Sequence, residues 1–285
     1  NILFIGDVFS SIGREMIDMY LPKVKEKYQV DMVIANVENA THGKGLMKKH
    51  YEEFLFQGIS LMTMGNHTFS KKELLDYMWE NYEVTYHQAK QRLELNETER
   101  LDYIDEADRL IVPYNQPRAL PGVGSREISI KGKRVRVTNL LGLTFMDGKS
   151  QNPFEAIDDI LKDDQSDIHI VDFHAEATSE KIAMGYYLDG QVSAVLGTHT
   201  HVPTADEKIL DKGTAYQSDV GMTGPYVSVI GCDKETIIKR MKTGLMTPFQ
   251  PAEGEGQFLA TLLCFDQENQ CEKIERICID PYHFL

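Results

Sequence analysis

Short apolar runs rich in β-branched residues recur along the chain, and each stops at a polar residue. Ile2-Leu3-Phe4-Ile5-Gly6 runs into Asp7, and Met32-Val33-Ile34-Ala35 passes through Asn36-Val37 into Glu38-Asn39. Leu61-Met62-Thr63-Met64-Gly65 runs into Asn66-His67, and Ile168-His169-Ile170-Val171-Asp172-Phe173 into His174. Val192-Ser193-Ala194-Val195-Leu196 runs into Gly197-Thr198-His199-Thr200-His201. Runs this short and this apolar predict strands buried in a parallel sheet. Between them the spacing turns helical: Ile17, Tyr20, Leu21 and Val24 mark one face of a helix over about 13–28. Further helices are expected at about 48–56, 155–162 and 179–188, and Ser70 with Glu73 has the form of a capping box. Residues 109–113 resume the sheet, and Lys131-Gly132-Lys133 is a hairpin signal between two strand-like runs. Residues 214–217 predict a further short strand. Residues 218–225 read as a turn-rich loop, and 258–265 with 271–279 as a closing antiparallel pair. Strands alternating with helices and no Pro/Gly/Ser linker predict one large α/β domain.

In an open α/β sheet, ligands bind in the crevice beyond the carboxyl ends of the strands. Oxygen or imidazole groups there make candidate metal ligands of Asp7, Glu38, Asn39, Asn66, His174, His199 and His201. That is too many donors for one ion and suits two; the His-x-His pair could also chelate a single ion. No cysteine joins the set, so the donors are oxygen and nitrogen, which suit Fe, Mn and Zn, and Mg less well. Two ions ~3.5–4 Å apart can hold a hydroxide and clamp both oxygens of an in-line phosphoryl displacement. Glu38 is the natural bridging carboxylate. His67 follows Asn66 directly and need not be a ligand; its imidazolium can protonate a departing alkoxide.

Net charge changes the range of partners. A formal charge of −14 argues against bulk nucleic acid or an anionic membrane surface, which call for clustered Lys and Arg. A small phosphate ester held by metal charge is compatible with it. No run approaches the ~20 apolar residues of a membrane span, and the four cysteines show no C-x-x-C spacing. Both features fit a cytoplasmic protein with reduced thiols; self-association is left open. Cys264 and Cys271 flank the expected hairpin turn and could approach one another. The polar, charged stretch 82–108 predicts a helical excursion on the surface, outside the catalytic centre. The Gly-rich loop 40–45 holds Lys44 and His42, with plain turn chemistry the stronger reading and phosphate contact the weaker. His169 alternates within a strand and reads as a satisfied interior or edge residue.

Gly65-Asn66-His67, the later His174 and Gly197-Thr198-His199-Thr200-His201 resemble the signature of the calcineurin-like metallophosphoesterases. Ile5-Gly6-Asp7, Ala35-Asn36-Val37-Glu38-Asn39, Asp172-Phe173-His174-Ala175-Glu176-Ala177-Thr178-Ser179-Glu180-Lys181 and Asp219-Val220-Gly221-Met222-Thr223-Gly224-Pro225 are similar to the bacterial YmdB-type branch. The resemblance implies a four-layer α/β/β/α sandwich, a di-metal centre, for which the donor set makes iron or manganese the first expectation, and phosphodiesterase activity on 2′,3′-cyclic nucleotides. It also implies that Asp7, Glu38, Asn39 and His201 hold one ion. Glu38, Asn66, His174 and His199 would hold the other, with His67 as general acid. Two positions depart from the wider superfamily: Phe9 stands where its first motif has His, and Thr68 where its third often has Asp. Asn39 replaces the first lost ligand. Two other functions use the same ligands: a nucleotide-sensing module with little turnover, and a metal-dependent amide or ester hydrolase.

Overall fold

The computed structural model describes residues 1–78, 109–117, 120–146 and 148–285. The expected excursion at 82–108 lies outside the described residues. The described chain builds two sheets. The first has the strand order β2-β12-β13-β1-β3-β4-β5, with β14 also on β13. Its strands are β1 (Ile2–Ile5), β2 (Asp7–Val8), β3 (Met32–Asn36), β4 (Leu61–Thr63), β5 (Leu110–Ile111), β12 (Met222–Pro225), β13 (Gly256–Phe265) and β14 (Cys271–Ile279). The second sheet runs β10-β11-β9-β8-β7-β6. It comprises β6 (Ser125–Ile130), β7 (Lys133–Leu141), β8 (Ile168–His174), β9 (Ala194–Thr198), β10 (Lys208–Ile209) and β11 (Ala215–Gln217).

Alternate residues of each strand serve different cores, which is why the runs are apolar throughout. Leu3, Ile5, Val33 and Ala35 face α1 (Ser10–Tyr28) and α2 (Lys48–Phe56) through Ile17, Leu21, Val24 and Phe54. Ile2, Phe4, Met32 and Ile34 point the other way and meet Val137, Ile170 and Leu196 of the second sheet. Val171, Phe173 and Val195 on that sheet's far face pack under α3 (Pro153–Leu161) and α4 (Thr178–Tyr187) with Ile157 and Met184. Helix, sheet, sheet and helix make the four-layer α/β/β/α sandwich. β1, β3 and β4 run parallel in one sheet, and β7, β8 and β9 in the other. Their carboxyl ends open on a shared crevice.

Several expectations need correction. Residues 218–225 are not only a loop: Met222–Pro225 pairs with Asp7–Val8 on one side and Gly256–Gln257 on the other. Backbone pairing from both neighbours overrides the glycines and proline. Asp7 therefore sits in a short strand, one residue beyond β1, and α1 begins at Ser10 with Phe9 at its N-cap. The helix after β4 starts at residue 72. Lys71 accepts its first hydrogen bond, from Leu75 N, so Ser70 stands one residue too early to cap it. The strand expected over 109–113 pairs only at Leu110–Ile111. The helix α5 (Lys234–Thr243) had not been foreseen, although Asp233 caps it and Gly244 ends it at φ 69°. All four cysteines are free thiols; Cys264 and Cys271 lie at the turn end of the β13–β14 pair. At the β6–β7 turn Lys131 and Gly132 take φ of 51° and 79°, the two positive values a tight hairpin requires.

Candidate metal centre

All seven expected ligands lie at the crevice. The first sheet supplies oxygens: Asp7, Glu38 and Asn39 are buried, and Asn66 stands at the rim. The second supplies imidazoles from the end of β8 and the loop after β9. Glu38 Oε1, Asn66 Oδ1 and His199 Nδ1 each lie 3.0 Å from His174 Nε2. Glu38, His174 and His199 can thus offer three donor atoms within 4.8 Å of one another.

The hydrogen bonds behind the imidazoles explain why this cluster fits a cation. Thr198 Oγ1 donates to Asp172 Oδ1 at 2.6 Å, so it accepts from His174 Nδ1 at 2.9 Å. With the Nδ1 proton committed there, neutral His174 turns an Nε2 lone pair toward three further acceptors. His199 Nε2 lies 3.1 Å from Glu176 Oε2, which leaves its Nδ1 lone pair inward. His201 Nδ1 donates to Ile230 O at 2.9 Å, and its Nε2 faces Asp7 Oδ1 at 3.8 Å and Asn39 Nδ2 at 3.1 Å. Each ring therefore has an outer partner that fixes its tautomer, as metal-binding imidazoles do. A half turn of the Asn39 amide exchanges its nitrogen for the oxygen a cation needs. Asp7 Oδ1 is buried with no hydrogen-bond partner among the described residues, an uncompensated acceptor that a cation would satisfy.

The charges of the metal-free site point the same way. Burial pushes the Asp7 carboxyl up to about 6, against the pull of His201 and His174. Burial alone would lower His174, but the Glu38 carboxylate beside it, with Asp7 and Asp172, raises it to about 9. Glu38 shows the converse: burial raises it, yet His174 and the His67 amide hold it down at about 2. Without metal, a proton on His174 Nε2 supplies the positive charge that these donors converge on. Burial and His174 keep His199 neutral, down to about 3.

Backbone geometry is committed to the same purpose. His199 and His201 take φ of 99° and 66°, left-handed values unusual outside glycine. Each costs about 1–3 kcal/mol. At Gly65 a Cβ would meet Glu38 Oε2 and His174 Nε2 inside contact distance, so only hydrogen fits there. His67 N donates to Glu38 Oε2 at 2.8 Å, while its ring makes no hydrogen bond among the described residues. Burial lowers its pKa, with Glu38 opposing and Lys44 adding. Phe9, at the superfamily's histidine position, packs edge-on against the His201 ring, 5.6 Å between centroids.

The outer partners Asp172, Thr198, Asn36 and Glu176 were not singled out from sequence as functional. Asp172 could have been: the two-residue period of β8 puts it on the same face as His174. Asn36, which donates to Asp172 Oδ2 at 3.1 Å, is 136 residues away and gave no such signal. His169, on the same strand, is buried against Asp164 Oδ2 at 2.6 Å and Thr138 Oγ1 at 2.8 Å, as an interior residue should be. His42 is exposed in the glycine loop.

A four-layer sandwich with an oxygen and imidazole cluster at the strand ends defines a metallophosphoesterase. The chain belongs to the YmdB-like protein family, whose model matches residues 3–86 and 94–277. The break at 87–93 falls within the charged stretch 82–108. The chain is 44% identical, over 100% of its length and 99% of the relative's, to the 2′,3′-cyclic-nucleotide 2′-phosphodiesterase of Bacillus subtilis. Among solved structures it is similar to a protein of Thermus thermophilus, with a TM-score of 0.84, 38% identity and 98% of both chains covered. It is also similar to a phosphatase of Mycoplasma pneumoniae, with a TM-score of 0.84, 37% identity, and 99% of this chain and 94% of that one covered. No helix among the described residues is long and apolar enough to cross a membrane.

Proposed function

We propose that this chain is a dinuclear metal-dependent phosphodiesterase acting on small phosphodiesters, 2′,3′-cyclic nucleotides foremost. The observation that carries this reading is the convergence of Glu38 Oε1, Asn66 Oδ1 and His199 Nδ1 on His174 Nε2, each at 3.0 Å. The activity named for the Bacillus subtilis relative supports the substrate class. Asp7, Glu38, Asn39 and His201 would hold one ion, and Glu38, Asn66, His174 and His199 the other, with Glu38 shared. Iron or manganese suits these donors best, and zinc or magnesium would also be accepted. Bound ions supply Lewis acidity toward water and the phosphoryl oxygens.

The protein's own groups then have distinct work. Thr198, Glu176 and the Ile230 carbonyl keep the imidazole lone pairs turned inward. The amide of His67, anchored on Glu38, holds its ring beside the site yet free to carry a proton to the leaving oxygen. The lowered pKa of that ring makes it a readier donor with a smaller protonated population at neutral pH. Cleavage of a cyclic nucleotide opens the ring at a ribose oxygen, a poor leaving group that needs such a proton.

Metal analysis of reconstituted protein, with assays on 2′,3′-cyclic AMP, bis-p-nitrophenyl phosphate and a carboxylic ester, tests the proposal. Two ions per chain and turnover of the two phosphodiesters alone are expected. Tight metal-dependent nucleotide binding without turnover would replace it with a sensing module, and ester cleavage with a different hydrolase.

A further inference from the structure

The loop that carries His199 and His201 is strained at both histidines, and something must hold it. Between them lies Thr200. Its N and Oγ1 donate to Asp219 Oδ2 at 3.1 and 2.7 Å. The same oxygen accepts from Lys181 Nζ at 2.6 Å, and both side chains of this ion pair are only 2% exposed. The other carboxylate oxygen, Oδ1, accepts from Gly221 N at 2.9 Å. Gly221 O in turn accepts from Asp7 N at 2.9 Å, and Asp7 Oδ2 accepts from His199 N at 3.1 Å. Asp219 itself is held by Thr204 Oγ1, which accepts from its amide at 2.9 Å.

One buried carboxylate is thus wired to ligands on both sheets. Through Thr200 it fixes His199 and His201; through Gly221 it fixes the backbone of Asp7. Lys181 comes from α4 and neutralises the carboxylate at Oδ2, the oxygen that Thr200 also uses. A buried carboxylate with four donors is well satisfied by charge-assisted hydrogen bonds, and none of these groups is itself placed to touch an ion. We infer that the Lys181–Asp219 pair is a positioning device that registers the two halves of the metal centre, with Thr200 as its point of purchase. The inference rests on the proposed metal-binding role of His199, His201 and Asp7. It assigns new roles to Lys181, Asp219 and Thr200 toward that centre.

A merely structural pair and a positioning pair give different results when Thr200 is changed. Thr200→Val removes the hydroxyl contact and leaves the ion pair intact; Thr200→Ser restores the hydroxyl. The full chain is stripped with chelator. Its thermal midpoint is recorded, and Mn²⁺ binding is then measured by titration for wild type and each variant. Positioning predicts that Thr200→Val keeps the metal-free midpoint or raises it, because the strained loop can relax. It also predicts Mn²⁺ affinity falling by about 10–100-fold, the range for an outer-shell partner, with Thr200→Ser close to wild type. Asp219→Asn should show the same affinity loss more strongly. If that variant fails to fold, the Thr200 pair still decides. Wild-type Mn²⁺ affinity in Thr200→Val, or equal losses in Thr200→Val and Thr200→Ser, overturns the inference. A wild-type chain that binds no Mn²⁺ overturns the metal reading beneath it, a result distinguishable from the first.

Discussion

The two sheets contribute unlike halves of the centre. The first gives oxygens that need little support: Asp7 is placed by the short strand β2, and Glu38 and Asn39 by the turn that follows β3. The second gives nitrogens, and every one needs an outer partner: Thr198 for His174, Glu176 for His199, Ile230 O for His201. A carboxylate offers lone pairs in any rotamer, whereas an imidazole offers one only after its proton is placed elsewhere. Ligand oxygens can therefore be fixed by backbone, while ligand nitrogens demand a second layer of residues.

The largest test of that division is Glu38→Gln. Glu38 is the carboxylate proposed to serve both ions, so the variant should lose both by elemental analysis. Turnover of 2′,3′-cyclic AMP should fall on the order of 10³-fold or more, since several kcal/mol of charge stabilisation go with them. Asp7→Asn should empty mainly one position; equal loss of both ions there would collapse the two-site picture.

His67 sits on the oxygen side in sequence yet is expected to hold no metal. His67→Ala should keep both ions and lose about 10²–10⁴ in rate on a ribose or alkyl ester. It should lose far less on bis-p-nitrophenyl phosphate, whose leaving group departs unaided. Equal losses on both substrates would move His67 into binding.

The halves also differ in their response to pH. In metal-free protein the folded pKa of His174, about 9, exceeds its unfolded value of about 6.5. Its contribution is full below 6.5 and is lost as pH rises through 9, on the order of 3 kcal/mol. Asp7, raised to about 6, acts in the same direction at lower pH. Urea unfolding at pH 6.5 and 9 should show this loss without metal. Mn²⁺ binding should strengthen over the same window, because a proton on Nε2 excludes the ion. Flat metal-free stability would remove His174 from the coupled cluster.

The smallest effect is expected at a support. Glu176→Gln leaves every proposed ligand in place and loosens only His199, so metal affinity should fall about 10–100-fold at one position and stay unchanged at the other. No change would show that His199 holds its tautomer without help.

The same division governs what could be seen in the sequence. The proposed ligands could be picked out because each follows an apolar run that has to be a buried strand, and strand ends converge in such a fold. Four layers could be expected from the family likeness, and the three cores bear them out residue by residue. The supports were hidden: Asn36 reaches Asp172, Asp172 meets Thr198, and Lys181 finds Asp219 only after the chain has folded, with no local pattern to announce it. The turn-rich look of 218–225 concealed β12 for a related reason, since the strand's partners lie at residues 7–8 and 256–257. Helix α5 was overlooked despite a readable cap, because five of its ten residues are charged and no clear apolar stripe drew attention.

Gly65 gives the centre one further property. A methyl at this position would project into the space between Glu38 and His174 where a cation is expected. Gly65→Ala would therefore keep every proposed ligand in the sequence yet press carbon against Glu38 Oε2 and His174 Nε2, so that these side chains must move apart. Such a chain would serve as a metal-deficient counterpart of the wild type with all its ligand residues present. It would separate what the protein does as a folded surface in its host from what it does by holding metal.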